Sequence, residues 1–413
     1  MRFNDYKLAL ESDKLEWLNE IKMQTALNYF GGKAKIGRYL FNQIFNLIIE
    51  MDRVGKRPTV FLDCFTGGGK VGTSMPWFDD ENSLIVMNDY NWGIYNFYKY
   101  CQEDYISLIK MIERIGVIMN EELFYCAVSL RSDRRTDPLT AAALTYWVTY
   151  SSFNGITSEK HANYSLPYKV NTSHFVTNEE LKGYLRDGRI EQEAIERLTK
   201  LAHKRIPALH ERFTQQNYII ENLDYRELIK KYNGKPYKEI GSDELKTETK
   251  YMEASKLFYF DPPYHPYTLH GGKEAPYADS FTVEMSEEMT DILCGNRAEV
   301  YGNIDYFIKS DYSLKETLKK AEIDIKSDKC SQKEWLTKLI NINKKTPKAV
   351  SGGFDALEKY PYCRIPLGTF DKGAISDEER TQGYEFIWCK GFSKEYIDSM
   401  RDDFGLDVLC ESN

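Results

Sequence analysis

Two short apolar runs on either side of a glycine cluster constrain the fold of this chain more than any other feature. Residues 59–65 (TVFLDCF) follow Pro58 and precede three glycines, so they predict a buried strand that enters a turn. Residues 83–90 predict a second strand, and residues 93–115 have the apolar spacing of a helix. This alternation of strand and helix is typical of a doubly wound α/β sheet.

The strand pattern stops and later resumes. From 120 to 212 the apolar spacing is mainly helical. Further strand-like runs occur at 217–225, 256–264, 297–306 and 384–392. We therefore predict an α/β doubly wound mixed sheet made by residues 1–119 plus 213–413, with a mainly helical target-recognition domain inserted at 120–212. The Lys-rich segment 307–375 is left unplaced.

Composition excludes several classes of protein. The chain is 42% apolar and 29% charged, with no apolar run of the ~18 residues that a membrane span needs. Its eight cysteines form no CxxC pair, so neither a zinc ribbon nor a disulfide framework is indicated. The N-terminal residues lack an apolar signal core. We expect a reduced, cytoplasmic protein. The net charge of −8 argues mildly against nucleic-acid binding, although a local cleft can still be basic.

The most informative motif is Asp261-Pro262-Pro263-Tyr264, which directly follows the apolar run LFYF. Two prolines end a strand because each lacks an amide donor and has a fixed φ. The turn then lies at the carboxyl edge of the sheet, where α/β proteins bind ligands. Asp261 and the Pro262 carbonyl can accept the N–H bonds of an exocyclic amine, and Tyr264 can stack on its ring. The alternative is a plain Pro-Pro turn after a strand.

Two glycine motifs accompany it. Residues 63–72 (DCFTGGGKVG) place glycines between a strand and a helix, where the backbone can approach a ligand closely. Asp89 ends the next predicted strand, where an acid can bind ribose hydroxyls. Upstream, the motif NYFGGK (28–33) offers Lys33 to a ligand carboxylate. An ordinary tight turn at 66–69 and a turn leading into a helix at 28–33 remain alternatives.

In this order and spacing, the motifs resemble those of the Dam-like (class D12, α-group) N6-adenine DNA methyltransferases. The resemblance implies a Rossmann-like class I methyltransferase fold, with S-adenosyl-L-methionine as cofactor and no metal. It implies a catalytic group of Asp261, Pro262, Pro263 and Tyr264. It also implies a cofactor site of Tyr29, Phe30, Lys33, Asp63, Phe65, Gly67, Gly69, Asp89, Tyr90, Asp224, Tyr225 and Asp261.

Residues 151–168 (SSFNGITSEKHANYSLPY) resemble the DNA-reading hairpin of the same family. GATC-reading members carry an arginine where this chain has Ser158, so a different recognition sequence is expected. The window 128–174 holds five Lys/Arg against three Asp/Glu. We predict DNA contacts from Arg131, Arg134, Arg135, Asn154, Ser158 and Lys160, with Asn154 reading a base edge and the arginines meeting phosphates.

The resemblance implies transfer of a methyl group to the N6 amine of a flipped adenine in a specific double-stranded DNA sequence. A cognate restriction endonuclease is left open as a partner. One alternative is an inactive member that binds cofactor or DNA, and another is a methyltransferase acting on RNA adenine. A nicotinamide-dependent oxidoreductase would also use a glycine loop and an acid, but it would not explain the Asp-Pro-Pro-Tyr motif.

Overall fold

The computed structural model describes residues 25–29, 37–75, 83–160, 162–166, 189–234, 254–263, 281–314, 363–371 and 382–392. Its strands are β1 (Val60–Asp63), β2 (Leu84–Asn88), β3 (Tyr218–Glu221), β4 (Lys256–Phe260), β5 (Phe307–Leu314), β6 (Cys363–Asp371) and β7 (Gln382–Lys390). Its α-helices are α1 (Gly37–Arg53), α2 (Lys70–Thr73), α3 (Trp92–Glu103), α4 (Tyr105–Ile118), α5 (Glu121–Leu130), α6 (Pro138–Ser151), α7 (Arg189–Gln215), α8 (Tyr225–Asn233), α9 (Val283–Leu293) and α10 (Ala298–Tyr301).

All seven of these strands form one sheet in the order β3-β2-β1-β4-β5-β7-β6. The first five strands in this order pair in parallel, whereas β7 is antiparallel to both β5 and β6. Parallel neighbours need a crossover connection, which the helices provide. The predicted doubly wound mixed sheet is therefore confirmed.

Residues of the central strands alternate between two hydrophobic cores. In β1, Phe61 packs into the core beneath α1 and α3–α7, and its neighbours Val60 and Leu62 pack into the core beneath α8–α10. Every residue of β1, β2 and β4 is buried. Strands covered on both faces read as continuous apolar runs, which is why they were detectable in the sequence.

The helices between β2 and β3 share the first of these cores with the sheet. Trp147 of α6 and Leu198 of α7 belong to the same buried cluster as Phe61. None of the described helices has the length and apolarity needed to cross a membrane. The proposed domain boundaries at 120 and 212 stay a prediction.

Three sequence predictions differ from the structure in detail. The single helix predicted at 93–115 is two helices, because Asp104 ends α3 and its carboxylate accepts a hydrogen bond from the Ser107 amide at the start of α4. The strand predicted at 297–306 is wrong: the short helix α10 and residues without regular secondary structure occupy this range, and the strand that follows is β5. The unplaced segment 307–375 contains β5 and β6, while 315–362 lies outside the described residues.

Gly93, the second residue of α3, allows α3 to pack closely against its neighbours beside the site. A Cβ atom there would lie 2.0 Å from Thr145 Oγ1 and 2.7 Å from the Arg131 carbonyl oxygen. Gly93→Ala should therefore destabilise the fold by about 1–3 kcal/mol, even though alanine is the better helix former. Urea unfolding of the variant measures this change.

The matched control is Lys110→Ala on the exposed side of α4, which should change stability by less than about 0.5 kcal/mol. Equal stability of the Gly93 variant and wild type would contradict the packing described here.

Candidate active site

A cavity of about 460 Å³ lies at the carboxyl edge of the sheet, where β1, β2, β3 and β4 end. This volume is within the usual range of small-molecule sites. The lining residues are Tyr29, Cys64, Phe65, Gly67, Asn88, Asp89, Tyr90, Leu223, Asp224, Tyr225, Arg226, Asp261, Pro263, Phe281 and Met285. Motifs far apart in the sequence therefore meet around one cavity.

The carboxylate of Asp89 is held by two backbone amides. Its Oδ2 accepts from the Gly67 amide at 2.7 Å, and its Oδ1 accepts from the Asn91 amide at 2.9 Å. The Asn222 side chain donates to the Asp89 carbonyl at 2.7 Å and so joins this turn to the end of β3. A carboxylate can accept about four hydrogen bonds. Asp89 can therefore fix the turn and still receive a hydroxyl group of a ligand.

The glycine loop packs against the upstream motif. Gly67 and Gly69 have φ values of +49° and +70°, which only glycine adopts at little cost. A Cβ atom at Gly69 would lie 2.2 Å from the Tyr98 hydroxyl, and one at Gly67 would lie 3.3 Å from the Tyr29 ring. The Thr25 hydroxyl donates to the Gly68 carbonyl. Phe30 and Lys33 lie outside the described residues, so only Asn28 and Tyr29 of this motif are located.

Asn88 joins the ends of two strands that do not pair with each other. Its Nδ2 donates to the Cys64 carbonyl at 3.1 Å and to the Leu223 carbonyl at 3.0 Å. Its Oδ1 accepts from the Leu223 amide at 2.9 Å. The floor of the cavity between β1 and β3 therefore depends on one buried amide side chain.

Asp224 is the N-cap of α8 and has a guanidinium partner. Arg226 donates from Nε to Oδ1 at 2.7 Å and from Nη2 to Oδ2 at 2.9 Å, and it also bonds Glu288 at 3.2 Å. Partial burial opposes ionisation of Asp224, but the hydrogen bonds and charge of Arg226 outweigh it and lower the pKa of Asp224. The cavity wall thus carries an ionised acceptor whose orientation is fixed.

Asp63 lies beneath the cavity and is 1% exposed. Its Oδ2 accepts from the Gly72 amide at 3.0 Å. Burial, with a smaller contribution from the charges of Asp261 and Asp89, raises the pKa of Asp63 to about 8 against the lowering effect of backbone hydrogen bonds. Asp63 therefore keeps its proton at neutral pH, and the negative charge beside it comes from Asp261 and Asp89.

The Asp-Pro-Pro turn lies where the sequence predicted it, directly after β4. Asp261 and Pro263 line the cavity, and Pro262 is buried beside them. Tyr264 lies outside the described residues. The cavity therefore combines the predicted catalytic turn with Tyr29, Phe65, Gly67, Asp89, Tyr90, Asp224 and Tyr225 of the predicted cofactor site.

Some of the predicted DNA-contacting residues are buried in the structure, and others are exposed. Arg131 is 0% exposed and donates to Asn91 and to the Thr157 carbonyl, so the prediction that it meets a phosphate is wrong. Ser158 is 6% exposed, so its side chain does not face a DNA groove either. Both residues lie in well-packed turns, a fact that a local charge count cannot reveal.

The remaining arginines and Lys160 of the predicted DNA surface are exposed. The Arg134 guanidinium lies 5.3 Å from the centre of the Tyr90 ring, beside the cavity. Arg135 forms an ion pair of 2.7 Å with Asp133, and this bond lowers the pKa of Asp133 to about 2. The side chain of Asn154 lies outside the described residues. The DNA contacts of these residues stay a prediction.

Several cavity residues were not anticipated from the sequence. Arg226 follows the predicted acid in the run DYREL, and its charge beside Asp224 was an available signal. Phe281 lies 5.9 Å from both Phe65 and Tyr225, measured between ring centroids, and completes an aromatic wall. Nothing near Phe281 in the sequence marks it, because only the packing of α9 brings it to the cavity.

Comparison with protein families supports the reading of these motifs. Residues 29–200 match the model of the D12 class N6 adenine-specific DNA methyltransferase. Over this segment, which is less than half of the chain, the sequence is similar to the D12-class adenine-specific DNA methyltransferases. The family resemblance and the enzyme class predicted from the sequence are confirmed. The substrate of the family is DNA, and its members use a methyl donor of the S-adenosylmethionine type.

The matched segment includes Tyr29, the glycine loop, Asp89 and α6, and it ends before the Asp-Pro-Pro turn. No individual curated protein matches the sequence. The assignment of the methyltransferase chemistry to particular residues therefore depends on the geometry of the cavity.

The raised pKa of Asp63 has a consequence for stability. Between its usual value of 3.8 and about 8, the native protein keeps a proton that the unfolded chain has lost. Stability contributed at this position therefore falls as the pH rises through this window, by about 1.4 kcal/mol per pH unit. Asp63→Asn removes the titration, so its stability relative to wild type should increase from pH 5 to pH 7 in urea unfolding of the ligand-free protein.

Glu122→Gln, on the exposed surface of α5, is the matched control and should show no comparable trend relative to wild type. A stability difference between Asp63→Asn and wild type that stays constant over this pH range would contradict a protonated Asp63.

Proposed function

We propose that this D12-class methyltransferase binds S-adenosyl-L-methionine in the cavity at the carboxyl edge of the sheet. We further propose that it transfers the methyl group to the N6 amine of an adenine flipped out of a specific DNA sequence. The observation that carries the proposal is the meeting of Asp261 and Pro263 with Asp89 and the glycine loop around one cavity. A catalytic turn and a cofactor site must lie this close for direct group transfer.

The cavity fits the chemistry of this cofactor. Asp89 and Asp224 supply carboxylate acceptors for hydroxyl and amino groups, and Phe65, Tyr225 and Phe281 supply an aromatic wall for a planar base. The negative charge of the Asp89 carboxylate also favours the positive charges of a sulfonium and an ammonium group. When bound, the cofactor would supply a methyl group activated by its sulfonium and would leave as a neutral thioether, while the N6 amine releases one proton.

The residues of this chain hold the acceptor amine. The Asp261 carboxylate and the Pro262 carbonyl each accept an N–H bond, which orients the nitrogen lone pair toward the cavity and strengthens its nucleophilicity. The Pro262-Pro263 pair fixes both acceptors because proline restricts the backbone. We propose a flipped base, because the amine of an adenine stacked in a duplex is not accessible to the Asp-Pro-Pro turn at the edge of the sheet.

The proposed specificity for DNA rests on the helices between β2 and β3. Residues 152–160 and 162–166 lie in a loop that follows α6, and Arg134, Arg135 and Lys160 are exposed nearby in the chain. We propose that residues 120–212 choose the sequence, with Asn154 at a base edge and these cations at phosphates. A cognate restriction endonuclease is a further proposed partner.

Transfer of a labelled methyl group from S-adenosylmethionine to plasmid DNA tests the activity directly. Label in DNA at the adenine N6 position supports the proposal. Label only in RNA of the same sequence would favour an RNA methyltransferase, and tight cofactor binding without any transfer would favour an inactive member.

Asp89→Ala should weaken S-adenosylmethionine binding about tenfold or more in calorimetry, since a hydrogen bond to a charged group contributes about 1.5–3 kcal/mol. Asp89→Asn keeps the shape of the side chain and should give a smaller loss. Asp291→Ala, an exposed carboxylate on α9, serves as the control and should bind like wild type. Unchanged affinity in Asp89→Ala would rule out this placement of the cofactor.

Asp261→Ala should abolish methyl transfer while cofactor affinity stays within about threefold of wild type. Asp261 acts on the target amine, so its loss should lower turnover more than it lowers ground-state binding. Single-turnover transfer to plasmid DNA measures the first effect and calorimetry the second. Transfer at the wild-type rate by this variant would show that the proposed mechanism is incorrect.

A further inference from the structure

Arg131 is a fully buried cation at the C-terminal end of α5, with 0% exposed surface. Its Nη1 donates to Asn91 Oδ1 at 3.3 Å, and its Nη2 donates to the Thr157 carbonyl at 3.1 Å. Burying a guanidinium has a large desolvation cost, and apolar residues of the same volume often stabilise a core better. The hydrogen bonds of its two terminal nitrogens therefore point to a role in positioning the groups that they contact.

The first bond leads to the cofactor side of the cavity. Asn91 is the N-cap of α3, and its Oδ1 accepts from the Gly93 and Ile94 amides as well as from Arg131. The Asn91 amide in turn donates to Asp89 Oδ1 at 2.9 Å. Arg131 is thus one residue removed from the carboxylate proposed to bind the cofactor.

The turn around Arg131 makes further contacts with the same residues. Asn91 Nδ2 donates to Ser132 Oγ at 2.8 Å, and Trp92 Nε1 donates to the Thr136 carbonyl at 3.1 Å. The Gly93 position leaves room for the Arg131 carbonyl, since a Cβ atom there would lie 2.7 Å from it. The α5–α6 turn therefore holds the Asp89 turn through several independent bonds.

The second bond leads to the loop proposed to read DNA. This loop is closed by two backbone bonds, from the Ser165 amide to the Ser151 carbonyl at 2.7 Å and from the Phe153 amide to the Asn163 carbonyl at 2.9 Å. Both bonds hold the two ends of the loop beside α6. The bond from Arg131 to the Thr157 carbonyl holds a point further along the loop, just after the 3-10 turn Phe153–Gly155.

We propose that Arg131 is a positioning residue shared by the cofactor site and the DNA-reading loop. It holds the Asn91–Asp89 turn with one nitrogen and the segment 156–158 with the other. This inference rests on the proposed function, and it replaces the phosphate contact expected for Arg131 from the sequence. One substitution at this position should therefore impair two steps that occur at different surfaces.

The test uses Arg131→Gln, which removes the charge and one of the two donor groups. Its KM for S-adenosylmethionine should rise about tenfold, as expected for loss of a charged hydrogen bond. Its preference for the cognate DNA sequence over sequences with one altered base should fall several-fold, because Thr157 is no longer held. The kcat at saturating cofactor and cognate DNA should change much less.

Leu198→Ala is the matched control, because Leu198 is also buried, in the core between the sheet and α3–α7, and belongs to neither turn. It should lower the thermal midpoint and the amount of active enzyme, but leave the KM for the cofactor and the sequence preference as in wild type. Arg131→Lys should shift both quantities in the same direction by a smaller factor, because an ammonium lacks the rigid fork of a guanidinium. This second variant decides the question if Arg131→Gln does not fold.

The outcomes separate this inference from the proposed function. A wild-type protein that neither binds S-adenosylmethionine nor methylates DNA would overturn both. An active wild type with unchanged KM and sequence preference in the folded Arg131 variants would overturn only the role of Arg131. A change in KM without a change in sequence preference, or the reverse, would also overturn the shared role.

Discussion

Parallel pairing of β1 with both β2 and β4 is the constraint on which the candidate site depends. In this register Asp63 lies opposite Met87 on one side and Tyr259 on the other, so the three strands end at the same level. Their next residues include Asp89 and Asp261, which are far apart in the sequence. The hydrogen bonds of the sheet bring these acids to one cavity, although no local contact in the chain could do so.

The acids at this edge are held by backbone amides. Asp89 accepts from Gly67 and Asn91, Asp63 accepts from Gly72, and Asp224 caps α8. Amides at turns and helix N-termini orient a carboxylate before any ligand arrives. Burial and the nearby acidic side chains raise the pKa of Asp63.

The helices between β2 and β3 do not form a core of their own in the described residues. They bury Trp147 and Leu198 in the same cluster as the sheet residue Phe61, and Arg131 joins α5 to the turn beside Asp89. A segment proposed to recognise DNA is thus attached rigidly to the cofactor cavity. In this arrangement, the orientation of the DNA-reading loop and the shape of the cofactor site depend on the same packing.

The sequence alone determined the α/β class, the family and most of the cavity motifs. Strands buried on both faces read as apolar runs, and glycine loops and Pro-Pro turns are local features of the backbone. Packing decided the rest. The sequence around Arg131 is typical of a surface cation, but the fold buries Arg131 and bonds it to Asn91 and Thr157. Phe281 has no local signal in the sequence. The strand after 306 was missed because its partners β4 and β7, rather than its own polar sequence, make it a strand.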